Sequence, residues 1–289
     1  MKLSIITIGL NNREGYRRTI ESVLRQTWRD FEFVIVDGAS TDGSVEVIKQ
    51  FELENIQSSN PIFFKWISEP DKGIYNAMNK GTLMATGDYC LYLNSGDWLY
   101  TEDTLQKVFE LPKGDDIFWG KMLYCASEGV QEIRGVDNIN VSPFKAFSLT
   151  IPHQSSFIKR SLLLGENKYD ETLKIAADHK FFYKSIFVDK CSYAILDDII
   201  SVMDGTGISS NIEACRKEDE IIFCEFFPSA LLKDYQDWLK MKEKIHHQEQ
   251  YIHSYSNAIA IYDGVKNKPL LRKTHTLIAM CFKKKCNKA

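Results

Sequence analysis

The sequence has no paired cysteine spacing, no long apolar run and no excess of basic charge. Its seven cysteines, at positions 90, 125, 191, 215, 224, 281 and 286, are odd in number, and no two stand in Cys-x-x-Cys spacing. That argues against a zinc knuckle and a disulfide framework, and it fits a reducing compartment. No apolar stretch approaches the roughly 20 residues that cross a bilayer. The opening run Leu3–Ile8 is too short for a signal-peptide core and no cleavage pattern follows it, so the expected location is the cytoplasm. A net charge of −3 argues against a general nucleic-acid binder. Three catalytic fingerprints are also missing. The first strand exit reads Gly9-Leu10-Asn11-Asn12, without the Gly-x-Gly-x-x-Gly of a nicotinamide site. There is no phosphate-binding Gly-x-x-x-x-Gly-Lys-Ser/Thr and no Gly-x-Ser-x-Gly, which sets aside Walker-type ATPases and serine hydrolases of the elbow type. Nor is there the Gly-rich, Arg-containing loop of a sugar nucleotidyltransferase.

What is present is a regular alternation of two periods. Short apolar, β-branched runs occur at Leu3–Ile8, Phe31–Val36, Ile62–Ile67 and Tyr89–Leu93, with a further candidate at Asp116–Trp119. Between them, apolar residues recur at helical spacing: Ile20, Val23, Leu24 and Thr27, then Val45, Ile48 and Phe51, then Ile74, Ala77, Met78, Gly81 and Ala85, then a helix near Thr104–Leu111. Strands alternating with helices of this length predict an α/β fold, a mostly parallel sheet with helices on both faces. Residues 121–210 are less regular, with a helix near Asp178–Phe187. Residues 211–289 read as helical and charged. An apolar content of 44% is enough to build a buried core.

Parallel sheets bind ligands where their strands end. Polar and acidic residues collect at all four strand exits: Gly9 and Asn11; Asp37, Gly38, Ser40, Thr41 and Asp42; Glu69, Asp71, Lys72 and Gly73; Asn94, Ser95, Gly96 and Asp97. Asp42 and Ser44 read best as helix caps. Asp37 reads equally as a turn residue or as a partner for a base N–H or ribose hydroxyl. Asp97 is the one acid in its segment and so the one side chain there able to offer a carboxylate to a hard cation, the alternative being a solvated turn. Asp178 is either a helix cap or a general base. His153 is either structural, a phosphate contact or a metal ligand.

The stretches LSIITIGLNN (3–12), VIVDGASTDGS (34–44), EPDKGIYNAMNKG (69–81), YLNSGDWL (92–99), PHQSSFIKR (152–160) and IAADHKFFYK (175–184) together resemble the family 2 glycosyltransferases of the GT-A fold. The LNSGD form is similar to that of the colanic-acid-type subgroup, which builds bacterial surface polysaccharides. The resemblance covers about residues 1–210. It implies a nucleotide-sugar-binding half over 1–120, an acceptor half over 121–210, and a helical extension over 211–289. It implies inverting transfer from a nucleotide sugar, by family habit a UDP-sugar, to a hydroxyl of a glycan or lipid-linked acceptor. Carried over residue by residue, it places Thr7, Asn11, Asp37, Asp71 and Lys72 at the nucleoside, Asn94 and Ser95 at the ribose side, and Asp97 at an Mg²⁺ or Mn²⁺ ion, with help from His153. Asp178 becomes the general base. One departure bears on the metal: Asn94 and Gly96 stand where relatives often carry acids. The same acid-poor segment keeps a second expectation open, a catalytically weak or inactive protein that binds nucleotide sugars or glycans.

The last segment stands apart. From Gly264 onward the chain carries Lys266, Lys268, Arg272, Lys273, Lys283, Lys284, Lys285 and Lys288 with no acid, around the apolar core Leu277–Phe282. Such a cluster predicts either contact with an anionic membrane surface or a solvated terminus.

Overall fold

The computed structural model describes residues 2–110, 114–125, 131–205, 207, 211–245 and 247–248. The chain divides into two compact units, Met1–Phe226 and Phe227–Ala289. The described part of the second holds a short 3₁₀ turn at Ser229–Leu231 and helical residues 232–245. The basic segment 264–289 lies outside the described residues.

In the first unit the order is β1 (Leu3–Gly9), α1 (Arg13–Leu24), β2 (Phe31–Asp37), α2 (Ser44–Gln57), β3 (Phe63–Ser68), α3 (Ile74–Met84), β4 (Tyr89–Tyr92), β5 (Trp98–Leu99) and α4 (Thr104–Glu110). Then come β6 (Ile117–Cys125), β7 (Gln131–Arg134), α5 (Pro143–Ala146), β8 (Ser156–Lys159), α6 (Ala177–Tyr183), β9 (Tyr193–Asp204) and α7 (Ile212–Phe226). Among the described residues the strands form one sheet in the order β3-β2-β1-β4-β8-β6-β9-β5, with β7 on β6. β3, β2, β1 and β4 run parallel, as the alternation predicts. β8 then enters antiparallel between β4 and β6, and β6 pairs parallel with β9. The order reverses between β1 and β4, and in such sheets that reversal opens a crevice at the carboxyl ends of the strands.

Both faces of the sheet are covered, and β1 and β2 are buried along almost their whole length, with apolar residues at most positions. One face carries Leu3, Ile5, Phe33, Ile35 and Leu91, packed with Tyr16, Ile20 and Val23 of α1, Ile48 and Phe51 of α2, and Leu105 of α4. On the other face α3 lies close against β1. The contact is so close at Gly81 that a Cβ there would overlap the Ile6 side chain. α1 ends at Leu24, so Thr27 lies beyond the helix, where its N–H bonds to the Glu102 carbonyl at 2.9 Å. The helix read near 178–187 is α6 followed by a π-turn at Lys184–Val188. The first unit reaches past residue 210 to include α7, whose Glu218 accepts from the chain just before α6.

Candidate active site

The exits of β1, β2 and β4 meet at one edge. The Gly38 N–H bonds to the Gly9 carbonyl, the Glu69 N–H to the Asp37 carbonyl and the Ser95 N–H to the Ile8 carbonyl. Asp37, ending β2, is fully buried. Its carboxylate accepts from the Ser40 hydroxyl (2.5 Å) and N–H (2.9 Å), from the Ser68 hydroxyl (2.6 Å) and, weakly, from the Tyr16 hydroxyl (3.4 Å). A carboxylate has about four lone-pair sites, so Asp37 is saturated within the protein and shapes this edge from below. Asn11 pins the same loop, accepting from the Thr41 N–H at 2.8 Å while its own N–H bonds to the Ser40 hydroxyl at 2.7 Å. Asn11 (φ +50) and Ala39 (φ +64) both sit in the left-handed region, a strained geometry that persists only where surrounding bonds enforce it. Thr7 is buried and donates to the Leu93 carbonyl at 2.7 Å. Asp71 accepts from the Gly73 N–H at 2.9 Å, and Lys72 is exposed beside it. The N-cap position of α2 is Gly43 and makes no side-chain cap bond, and Ser44 is the first helical residue, so neither Asp42 nor Ser44 is the cap residue itself. Asp42, one place earlier, accepts from the Arg13 N–H at the start of α1 and from the Ser44 N–H, both at 3.0 Å.

The Asn94–Asp97 turn is held by α1. Asn12 caps that helix and donates to the Ser95 carbonyl at 2.8 Å, while Thr19 donates to the Asp97 carbonyl at 2.7 Å and accepts the Gly96 N–H at 3.0 Å. Gly96 has φ +107. That backbone conformation explains why glycine stands where an acid would otherwise fit. Asp97 is buried, and one oxygen accepts the Asp204 N–H at 3.1 Å. Burial pushes its carboxyl up to about 7, against the pull of nearby His153. Asp204 itself pairs with Arg18 at 3.0 Å, and that guanidinium lies over the Trp98 ring.

From this turn a relay of side chains crosses to the other half of the unit. The Asn94 amide nitrogen meets His153 Nε2 at 3.2 Å; His153 Nδ1 meets Asp178 Oδ2 at 2.8 Å; and the Tyr75 hydroxyl reaches Asp178 Oδ1 at 2.8 Å. Tyr75 also contacts the Ile175 carbonyl. Burial works against the charge on Asp178, but its bonds to His153 and Tyr75 outweigh that, and its pKa lies below the ordinary aspartate value. Burial likewise works against a charge on His153, but Asp178 and Asp97 raise its pKa above the ordinary histidine value. Asp178 is therefore ionised at neutral pH. Its side chain is 16% exposed, and with His153, Tyr75 and the His179 backbone N–H as donors it keeps about one of its four lone-pair sites for an outside donor.

The residues placed at the metal by the sequence divide. Both ring nitrogens of His153 are engaged, one by Asp178 and one by Asn94, so one bond would have to be given up before the ring could bind a metal ion. Asp97 fits a cation, because a buried carboxyl raised to about 7 is one whose negative charge the protein does not offset. The amide oxygen of Asn94 is buried with no hydrogen-bond partner in the protein. Two groups would answer it: a hard cation on the Asp97 side or, with His153 protonated and the amide turned over, the Nε2–H. Among the described residues no three His, Cys, Asp or Glu side chains gather as a metal cage.

Sequence reasoning missed Tyr75, Asn12 and Thr19. Tyr75 lies inside the EPDKGIYNAMNKG stretch, and Asn12 ends LSIITIGLNN, so the signal was adjacency to a motif rather than any pattern of their own.

Comparison with known proteins gives the family and the fold. The sequence model of "Glycosyl transferase family 2" matches residues 4–187. An uncharacterized glycosyltransferase of Mycobacterium tuberculosis is 32% identical over 215 residues, 73% of this chain and 78% of that protein. A PGL/p-HBAD biosynthesis glycosyltransferase of Mycobacterium bovis is 31% identical over 181 residues, 62% of this chain and 67% of that one. Among solved structures, Staphylococcus aureus TarS 1–349 with UDP-GlcNAc shares the fold at TM-score 0.60 and 19% identity, over 81% of this chain and 70% of that chain. The mannosyltransferase PcManGT of Pyrobaculum calidifontis, solved with GDP-Man and Mn²⁺, shares it at TM-score 0.59 and 14% identity, over 96% and 84%. The fold is thus the GT-A fold, and this chain belongs to glycosyl transferase family 2.

Proposed function

We propose that this protein transfers a hexosyl unit from a nucleoside-diphosphate sugar, preferentially a UDP-sugar, to a hydroxyl of a glycan or lipid-linked acceptor, with inversion. The observation that carries this reading is the ionised, partly exposed Asp178, held by His153 and Tyr75 and linked through His153 to the Asn94–Asp97 turn. The loop pinned by Asn11 and Asp37, with Asp71 and Lys72 beside it, is the nucleoside edge. Thr7 supports that edge from beneath. Asn94 and Ser95 face the ribose, and Asp97 is the carboxylate that would hold Mg²⁺ or Mn²⁺. TarS bound to UDP-GlcNAc and PcManGT bound to GDP-Man and Mn²⁺ support a nucleotide-sugar donor and a cation.

In the reaction the acceptor oxygen attacks the anomeric carbon as its proton passes to Asp178, and the bond from that carbon to the diphosphate oxygen breaks. The diphosphate leaves with the bonding electrons, from the face opposite the attack. A divalent cation, when bound, offsets charge on the leaving diphosphate. His153 holds the base in place through its Nδ1, and Tyr75 fixes the second oxygen.

The LNSGD form supports a place near the colanic-acid-type transferases of surface polysaccharide synthesis. We assign residues 264–289 to contact with an anionic membrane surface at the cytoplasmic face. Their eight basic residues are each worth about 1 kcal/mol near such a surface. Among the described residues no helix is long and apolar enough to cross a membrane. Co-sedimentation with anionic liposomes should be strong for the full chain and weak for a chain ending at Asp263, and equal binding at low salt removes the assignment.

The donor is identified by a thermal-shift screen of nucleotide sugars with Mg²⁺ or Mn²⁺. A ligand at 100 times its Kd should stabilise the fold by about 2.7 kcal/mol. Release of nucleoside diphosphate from the donor so found marks an enzyme. Binding without release, unchanged by Asp178→Asn, marks instead a nucleotide-sugar-binding protein.

A further inference from the structure

The segment that carries Asp178 is fastened from outside the stretch the family shares. α7 begins well after residue 187, where the family match ends. The carboxylate of Glu218 on this helix accepts three consecutive backbone N–H groups, from Lys174 (2.7 Å), Ile175 (2.9 Å) and Ala176 (2.9 Å). Its neighbour Asp219 meets His179 Nδ1 at 2.7 Å. One further turn and more along, Glu225 pairs at 2.6 Å with Lys180, which also pairs with Asp170. Three acids of one helix therefore grip residues 174–176, 179 and 180, on both sides of Asp178 in the chain. From α3, Tyr75 touches the same segment at Ile175 and at Asp178 itself.

The chemistry of the Glu218 contact is specific. Three successive N–H groups converging on one carboxylate fix the backbone direction of 174–176, because charged acceptors bind N–H groups about twice as strongly as neutral ones. That direction sets where the first turn of α6 points, and Asp178 lies in that turn. Asp219 then fixes the neighbouring His179 ring, which is partly buried and packs against Phe147. Neither acid touches the Asn94–Asp97 turn or the nucleoside edge in any bond described above.

We propose that Glu218 and Asp219 are positioning residues that hold Asp178 in line for proton transfer, so that α7 is a working part of the transferase unit. The inference rests on Asp178 acting as the general base. Removing the clamp displaces the base without disturbing the donor edge. Because misplacement by about 1 Å costs on the order of 10²-fold in rate, Glu218→Ala should lower kcat by about that factor while the KM and Kd for the nucleotide sugar stay unchanged. Glu218→Gln keeps one carbonyl acceptor and should recover part of the loss.

Two measurements test it on the full chain. The first is hydrogen exchange by mass spectrometry on wild type, Glu218→Ala and Asp219→Ala. Exchange in peptides spanning 174–180 should accelerate by tenfold or more in Glu218→Ala, with β1 and β2 peptides unchanged. Uniform acceleration, or none, overturns the clamp, and this readout stands even if the wild type proves unable to turn over any donor. The second is the kcat and KM split with the identified donor. An unchanged kcat, or losses in kcat and donor affinity that both follow the folded fraction, would overturn the positioning role while leaving the transferase reading intact. Turnover absent in the wild type would overturn both that reading and the positioning role.

Discussion

Asp178 depends on two partners that approach it from different parts of the chain, His153 and Tyr75. Replacing it with asparagine keeps the shape and removes the proton acceptor. Asp178→Asn should lower kcat by about 10² to 10⁴ while the donor-induced thermal shift persists. The pH dependence follows from the same contacts. Asp178 must be ionised to accept a proton, and its bond to His153 is the leading influence holding its pKa below the ordinary value against burial. His153→Ala removes that influence, so the Asp178 pKa rises and the acid limb of the kcat profile moves to higher pH. A limb that stays in place, measured on the same donor, contradicts the assignment of His153 to the base.

Among elements, the joint between α3 and β1 is tight, because Gly81 leaves no room for a methyl group beside Ile6. Gly81→Ala should destabilise the fold by about 1–3 kcal/mol by overpacking, read from urea unfolding. At the far edge of the sheet from the site, Glu32 of β2 is fully buried and joins β1 to the turn before β4. It accepts from the Ser4 hydroxyl at 2.6 Å, from the Thr86 hydroxyl at 2.9 Å and from the Gly87 N–H at 3.1 Å, with Lys65 at 3.3 Å. Burial raises its pKa, but these bonds outweigh burial and take it down to about 2. A lowered carboxyl stabilises the fold above its unfolded pKa, and the effect fades as pH falls toward the folded value. Glu32→Gln should therefore cost about 3 kcal/mol at pH 7 and much less near pH 2, measured as the shift in urea midpoint at each pH. These joints also show what a sequence can and cannot disclose. FEFVIVD declares a doubly covered strand with a polar exit, and GASTDGS declares the turn after it, because both are local patterns. The inward turn of Asp37 toward Ser68 is a contact across strands, which no spacing announces. The same holds for the relay from Asn94 to Tyr75, and for Glu218 on Lys174–Ala176. Gly96 reads in the sequence as a missing acid, and its positive φ shows the backbone reason.

For the whole molecule, the order reversal between β1 and β4 brings the strand exits of the proposed donor edge together, and β8, β6 and β9 extend the sheet beyond β4. α6 carries Asp178, which His153 links to the Asn94–Asp97 turn, and Glu218 of α7 holds the chain just before α6. Transfer chemistry needs both sides, a site for the diphosphate and a base across from it. The direct test is nucleoside diphosphate release from the nucleotide sugar chosen by the thermal-shift screen, with Mg²⁺ or Mn²⁺, for wild type beside Asp178→Asn. The account predicts cation-dependent release by the wild type and a loss of at least about 10²-fold in the variant, with the donor still bound. Donor binding with no release by the wild type, or equal release by both proteins, would contradict it.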